Sequence, residues 1–523
     1  VTTVPEALTS GPSQVRSIDP ATGETWRVWA TTPPEDVESA VQRARAAQPE
    51  WATRSLGERS RILGRVRRRI FERRAELAAL IQREGGKPAV EAMTADVLTT
   101  LDVVRFCERR APRLLRARTM IPSNVALWRK RVTIEHEPYG VIGIISPWNY
   151  PLLLPASSTL AALIAGNAVV LKPSELTPAT AVRFGELLHE SGVPKDVMQV
   201  LPGDGATGAA LANASIDKLF FTGSVATGRK VAMACAARLI PHALELGGSD
   251  PAIVLEDADL DTAVSGILWG RFTNAGQTCV APKRVIVADA VHDAFVDRIT
   301  TAAAQLVMGA GAGGSDVGPM IRPAQLDALD AQLRDARQRG AHVVSHVRGD
   351  RHFFAPTIVS NVSPDMRIAH EETFGPLLAV LRARGDDDAI RLANDTPFGL
   401  SASIWSRDLA RARGIAARIA AGTVQINDAV SVVGMADVPH GGVKQSGTGR
   451  LHGEAGLREC VREKAIVVDP FPSWRQPWWF GYGAEHARNI DAFARFSHGR
   501  TILERLSGAW RSIKMLVSRE RPL

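Results

Sequence analysis

A chain of 523 residues is too long for one hydrophobic core and implies two or three domains. Its 45% hydrophobic and 23% charged residues exclude a disordered chain, and its four scattered cysteines (Cys107, Cys235, Cys279, Cys460) exclude a disulfide framework or a CxxC zinc site, which points to a reducing compartment. The net charge of +8 sits largely at one end, since residues 486–523 hold eight cations against three carboxylates, so the body is near neutral and a nucleic-acid enzyme is not expected.

The opening stretch, VTTVPEALTSGPSQVRSIDP, lacks the charged-then-apolar order of a signal peptide. No apolar run approaches the roughly 18 residues of a membrane span, so a cytoplasmic protein is expected. Residues 35–48 and 57–86 carry apolar side chains at three- and four-residue steps and read as helices, the second closed by a glycine pair. Cations crowd that second helix from Arg59 to Arg74, but Glu58, Glu72 and Glu76 are interleaved, as on a solvated face. The segment IPSNVALWRKRVTIEHEP looks like a two-stranded excursion with which AIVVD near 465 could pair, together an oligomerisation arm. From 138 onward short apolar strands alternate with helices through YGVIGIIS, NAVVLKP, VMQVLPG and KLFFTG, the pattern of a parallel sheet with crossover helices. LELGGSDP interrupts it as a hinge, and a second series runs from PAIVLED through PKRVIVAD to GTVQIND. After Asp469 come PFPSWRQPWWFGYG and a basic stretch with Ile490, Phe493, Phe496, Ile502, Leu503, Leu506, Trp510 and Ile513. This extension packs on the body or another subunit, or meets an anionic membrane surface as a peripheral contact.

In FTNAGQTC a small, glycine-containing turn precedes Cys279, where a backbone amide could face a carbonyl under attack by sulfur; a cysteine taken alone is more often inert core. Seven ordered strings, SPWNYP, KPSE, FTGSVATG, LELGG, NAGQTC, EETFGP and PHGGVKQSGTGR, together resemble the aldehyde dehydrogenase superfamily over roughly residues 18–469. The resemblance implies an α/β fold: a Rossmann-like NAD(P)-binding domain over 1–120 and 139–246, an α/β catalytic domain over 247–455, and a β oligomerisation arm over 121–138 and 456–469. Residues 470–523 form the basic, aromatic extension. It also implies oxidation of an aldehyde to a carboxylic acid with NAD(P). Cys279 would form a thiohemiacetal and then a thioester, Asn149 would donate to the oxyanion, and Glu245 would activate the hydrolytic water.

For the cofactor, the resemblance places Gly223 and Ser224 at a phosphate, with Gly228 admitting the following helix. Lys172 and Glu175 meet the adenosine ribose, Glu372 and Phe374 the nicotinamide ribose and ring, and Trp148 the pyrophosphate. Glu175 should repel a 2′-phosphate, so NAD is expected with NADP possible; no metal is expected. The family pattern is broken in several places. Ser249 and Asp250 follow LELGG, Arg462 replaces a second glutamate found in many members, and Ser157 and Thr273 stand where some succinic semialdehyde dehydrogenases carry arginines. His440 replaces an apolar tunnel residue and, with no evident partner, reads as structural, the alternative being that it faces substrate. Leu152, Leu153, Trp269 and Phe272 favour an apolar aliphatic or aromatic aldehyde, and a homodimer or homotetramer is expected. The alternatives are a succinate-semialdehyde dehydrogenase, a hydrolase of activated esters using Cys279, and a non-catalytic membrane-associated scaffold.

Overall fold

Short runs of apolar residues build two mainly parallel sheets in a computed structural model of the chain, which describes residues 14–311, 314–344, 349, 352–471, 476, 478–480 and 482–517. The first sheet has the order Gly447–Thr448, His242–Glu245, Lys218–Thr222, Val141–Ile145, Ala168–Lys172, Met198–Val200. Only the two-residue edge strand runs antiparallel; the other five are parallel, with Ile142 opposite both Val169 and Lys218. Helices cover both faces of such a sheet, which is why its strands read as continuous apolar runs. The chain steps outward from Val141–Ile145 to Met198–Val200, then returns to pair on the other side of Val141–Ile145. This reversal of strand order opens a crevice at the carboxyl ends of the strands.

The second sheet has seven strands in the order His342–Val344, Thr357–Ser360, Leu377–Ala383, Pro282–Ala288, Asp250–Val254, Ser401–Trp405, Thr423–Ile426. All pairs are parallel except the first. Ile253, Val285, Ile286, Val380 and Ile404 are completely or almost completely buried at the centre of one continuous core. A strand pair, Gln14–Ile18 with Thr25–Ala30, precedes the helices.

The helical reading of residues 57–86 needs two corrections. The segment divides into Leu56–Glu72 and Arg74–Gly85, with a break at Arg73. Ser55 and Glu58 form a reciprocal capping box at the first start, and Gly86, at φ 73°, closes the second. Nor is the arginine face uniformly solvated. Arg61, Arg65, Arg68 and Arg69 are exposed, but Arg59 is buried and donates to the carbonyls of Ile164, Ala52 and Arg54, closing the ends of neighbouring helices.

Residues Leu115–Glu137 and Glu463–Leu523 form a separate compact unit. Its sheet has the order Val461–Val468, Arg131–Pro138, Arg118–Met120, so the stretch near 465 pairs with the excursion, whose first strand begins before residue 121. Lys464 and Glu137 make an ion pair at 2.8 Å across it. The basic extension folds into helices Ala484–His498 and Ile502–Val517, which pack through Ala492, Gly508, Ser512 and Leu516. Gly508 is required there, because a Cβ would lie 2.1 Å from the Ala492 carbonyl oxygen. Much of PFPSWRQPWWFGYG lies outside the described residues.

Candidate active site

Four adjacent parallel strands end at Ile145, Lys172, Thr222 and Glu245, and the segments that leave them line one cleft of ≈ 700 Å³. Asn149, Glu245 and Cys279 all line this cleft. So do the seven residues assigned to the cofactor: Trp148, Lys172, Glu175, Gly223, Ser224, Glu372 and Phe374. Residues far apart in sequence therefore meet because a parallel sheet puts its strand-to-helix turns on one edge.

The SPWNYP turn is held by a buried ion pair that no motif announces. Lys87 Nζ lies 2.8 Å from Asp96 Oδ2, both side chains at most 1% exposed, and donates to the Asn149 carbonyl at 2.7 Å. The other Asp96 oxygen accepts from the amides of Leu152 and Leu153, at the start of helix Leu153–Ala165. Asp96→Ala strands the ammonium of Lys87 without its counter-charge; a loss of about 3–5 kcal/mol in denaturant unfolding is expected.

Cys279 follows a backbone turn of unusual hand. Asn274, Ala275 and Gly276 all have positive φ (53°, 53° and 71°), which costs an L-residue about 1–2 kcal/mol each. Buried hydrogen bonds hold the turn: the Asn274 amide donates to the Glu91 carboxylate at 2.8 Å, and its side chain donates to Asn149 O at 3.0 Å. The Asn149 side chain in turn donates to Gln277 O at 3.1 Å, two residues before Cys279, while its second amide hydrogen is free of that bond. Lys283 Nζ donates to the carbonyls of Thr278 and Cys279. Arg271, wholly buried, donates to Thr373 O and Gly375 O and so fastens EETFGP beside this turn.

The electrostatics around the sulfur are those of a resting thiol. Cys279 is part-buried, and burial, then the neighbouring Glu245 carboxylate, push its pKa well above the usual thiol range. Glu245 itself is buried, and neither of its oxygens makes a hydrogen bond of ordinary geometry. The nearest imidazole is His440, with Nε2 3.5 Å from Glu245 Oε1. A carboxylate oxygen of Glu245, the Cys279 sulfur and a ring nitrogen of His440 lie within 4.8 Å of one another. His440 thus has a partner that its isolation in the sequence concealed.

The cofactor half of the cleft is shaped by close backbone approach. A Cβ on Gly223 would lie 2.7 Å from the Phe221 ring, and one on Gly228 2.5 Å from Leu246. Ser224 caps helix Val225–Ala236 by accepting from the Thr227 amide, which leaves the helix N-terminus facing the cleft. Lys172 and Glu175 pair at 3.2 Å, the carboxylate being half-exposed. A Cβ on Gly247 would sit 2.1 Å from Glu372 Oε2 and so push that carboxylate aside, and the next amide, Gly248 N, donates to Glu372 at 3.1 Å. Trp148 and Phe374 meet edge to face at 5.6 Å. These features fit a dinucleotide: an anion-accepting helix end, a Lys172–Glu175 pair at the end of a strand, and aromatic walls.

The apolar residues expected near the substrate fall elsewhere. Leu152, Leu153 and Phe272 are buried in the core and Trp269 is 54% exposed, while Leu154 lines the cleft instead. Arg322 and Gln325 also line it and fall in no string, because single polar residues outside a motif carry no local signal.

Comparison with known proteins agrees with this geometry. Residues 8–466 match the aldehyde dehydrogenase family. The chain is 36% identical over 485 residues to a 4,4'-diapolycopene aldehyde oxidase of Methylomonas sp, covering 93% of this chain and 91% of that protein. An NAD-dependent aldehyde dehydrogenase from Sinorhizobium meliloti superposes with a TM-score of 0.85 at 35% identity, over 90% of this chain and 93% of that one. An NADP-dependent enzyme from E. coli does so with a TM-score of 0.83 at 33% identity, over 87% and 95%. A match that spans nearly the whole chain, in sequence and in structure, is not a shared fold alone: the chain belongs to the aldehyde dehydrogenase family of NAD(P)-dependent oxidoreductases.

Proposed function

We propose that this enzyme oxidises an apolar aldehyde to its carboxylic acid through a covalent thioester on Cys279, which water activated by Glu245 hydrolyses. The observation that carries the reading is the convergence of Cys279, Glu245 and Asn149 with the cofactor-type residues in one cleft. Glu245, beside the sulfur, is the group placed to accept the thiol proton as sulfur attacks the carbonyl. Asn149 donates to the oxyanion of the resulting thiohemiacetal, and Asn149→Ala is expected to lower kcat about 100- to 1,000-fold with little change in cofactor binding, measured by steady-state kinetics and cofactor titration. The nicotinamide cofactor, when bound, supplies the hydride acceptor. Once Glu245 has shed the proton taken from the thiol, water attacks the thioester while the carboxylate takes a proton from that water; the thiolate leaves as the acid is released and regains that proton from Glu245, which returns the thiol.

Lys172 and Glu175 are proposed to hold the adenosine ribose, Ser224 and Gly223 a phosphate, Trp148 the pyrophosphate, and Glu372 with Phe374 the nicotinamide end. A carboxylate at Glu175 favours NAD over NADP, because a 2′-phosphate would be repelled. Glu175→Gln is expected to raise kcat/KM with NADP relative to NAD by about ten-fold, one unpaired charge contact being of that order. Ser157 and Thr273 are neutral, and Ser157 already bonds His452 and Leu153 O, which disfavours a diacid semialdehyde. The three-stranded sheet is proposed as the arm of a homodimer or homotetramer, and the C-terminal extension as a peripheral membrane contact. Aliphatic, aromatic and carboxylated aldehydes assayed in parallel with NAD and NADP test the reading; turnover of none of them with either cofactor would end it.

A further inference from the structure

We infer that helix Ile502–Val517 docks flat on an anionic lipid bilayer and that the enzyme takes a lipid-dissolved aldehyde from that surface. Both clauses deepen the reading above: the first names the element that makes the proposed membrane contact, and the second rests on the enzymatic reading. One side of this helix, through Gly508, Ser512 and Leu516, is buried on helix Ala484–His498. A soluble helix would be polar elsewhere. Instead Ile502, Leu503, Leu506, Trp510, Ile513 and Val517 are 49–79% exposed. At 3.6 residues per turn these six positions share a sector only about 100° wide, turned away from the buried side. They form a second apolar stripe on the same helix. Lys514 borders it and Arg511 lies about 60° further round, both exposed and without an ion-pair partner among the described residues. Phe480 and Tyr482, 81% and 65% exposed, stand just before the first helix.

The occupant is set by this chemistry. A nucleic acid would use the cations and leave the stripe in water, whereas a lipid surface takes both at once: side chains such as Leu506 and Trp510 enter the acyl boundary while Arg511 and Lys514 reach headgroup phosphates. Sixteen residues span about 24 Å, and no helix among the described residues is long and apolar enough to cross a membrane, so the geometry is that of a helix lying in the interface. The 4,4'-diapolycopene aldehyde oxidase aligns with 93% of this chain, so its similarity must run past Asp469 into the extension.

Sedimentation of the full chain with vesicles tests this. Wild type is expected to pellet with phosphatidylcholine vesicles containing phosphatidylglycerol. Leu506→Glu/Trp510→Glu and Arg511→Glu/Lys514→Glu should each bind about ten-fold more weakly. The same variants should oxidise benzaldehyde like wild type but lose about ten-fold in kcat/KM for a long-chain aldehyde dissolved in the vesicles. Wild type left in the supernatant overturns the docking. So does a Leu506→Glu/Trp510→Glu variant that pellets normally but changes oligomeric state, because the stripe would then face a second copy. Normal pelleting with no aldehyde oxidised would remove the enzymatic reading and leave the docking intact.

A separate observation concerns His440. Its backbone is fixed by two 2.7 Å hydrogen bonds with Leu451, and its buried ring faces Glu245 on one side and the His452 ring, 6.0 Å away, on the other. Cys279 also lies beside this cluster. His452 bonds Ser157 at 2.9 Å, and burial, then His440, hold its pKa down at about 3, so it stays neutral. A small cavity of ≈ 10 Å³, room for about one water centre, is lined by Glu245, His440, Arg450 and the exposed Thr448. We propose that His440 is a positioning residue that takes from Glu245 the proton received from the thiol, after hydride has left and before water attacks, and passes it to that cavity, restoring the carboxylate that activates water. This rests on the hydrolytic reading. His440→Phe should keep the first-turnover burst of NADH at the wild-type rate and lower steady-state kcat about 10- to 100-fold; His440→Gln should behave alike. Burst and steady state falling together, or neither changing, overturns the role, and absence of a burst in wild type indicts the hydrolytic reading instead.

Discussion

Cys279→Ala is expected to abolish aldehyde-dependent NADH formation, lowering turnover by about 10⁴-fold or more while leaving the unfolding transition in place. No other thiol can substitute. Cys107, Cys235 and Cys460 are buried away from the cleft, and burial pushes Cys235 up to about 11 and Cys460 up to about 12. The loss should be chemical rather than structural, since the sulfur lies part-exposed on a cleft wall and the strained turn before it is held by Asn274, Glu91 and Asn149. Stopped-flow absorbance and denaturant unfolding on the same preparation separate the two effects. The thiol pKa of the enzyme without ligand is raised, so less thiolate exists at a given pH than for a free cysteine. For wild type, kcat/KM should therefore fall as pH is lowered and keep rising above the range in which an ordinary thiol has already ionised.

Glu245→Gln divides the reaction where the cysteine variant stops it. Gln keeps the shape of the side chain but cannot take a proton from water, so the acyl-enzyme should form and persist. The expected result is up to one NADH per active site followed by a steady state about 100- to 10,000-fold below wild type. Because Glu245 is also the base nearest the thiol, the burst itself should slow at neutral pH and recover as pH rises. A variant that retains wild-type steady-state turnover would mean that another group activates the water.

The architecture could be read from the order of apolar runs, since strands buried on both faces need continuous Val, Ile, Leu and Phe, as in VIGII and KLFFT. The members of the site could be read because glycines and short polar residues cluster where strands end, and a Cβ on Gly223 or Gly247 would push a neighbouring side chain aside. What holds the site in place could not. Lys87 and Asp96 look like ordinary surface charges until the fold removes water from both, and Arg271 looks like a helix-end cation until its guanidinium is found against four backbone carbonyls. The partner of His440 is hidden in the sequence for the same reason: Glu245 is almost 200 residues away, joined to it only when the Gly447–Thr448 strand pairs beside His242–Glu245. Leu152 and Leu153 failed in the opposite direction, because adjacency in sequence to Asn149 placed them inside a helix core rather than on the cleft.

The account turns on a covalent acyl group carried by one sulfur. Glu245→Gln incubated with an aldehyde and NAD, quenched in acid, digested and weighed should show the acyl mass on the peptide that contains Cys279 and on no other. An unmodified Cys279 peptide accompanied by one equivalent of NADH, or the acyl mass on a different residue, would contradict it.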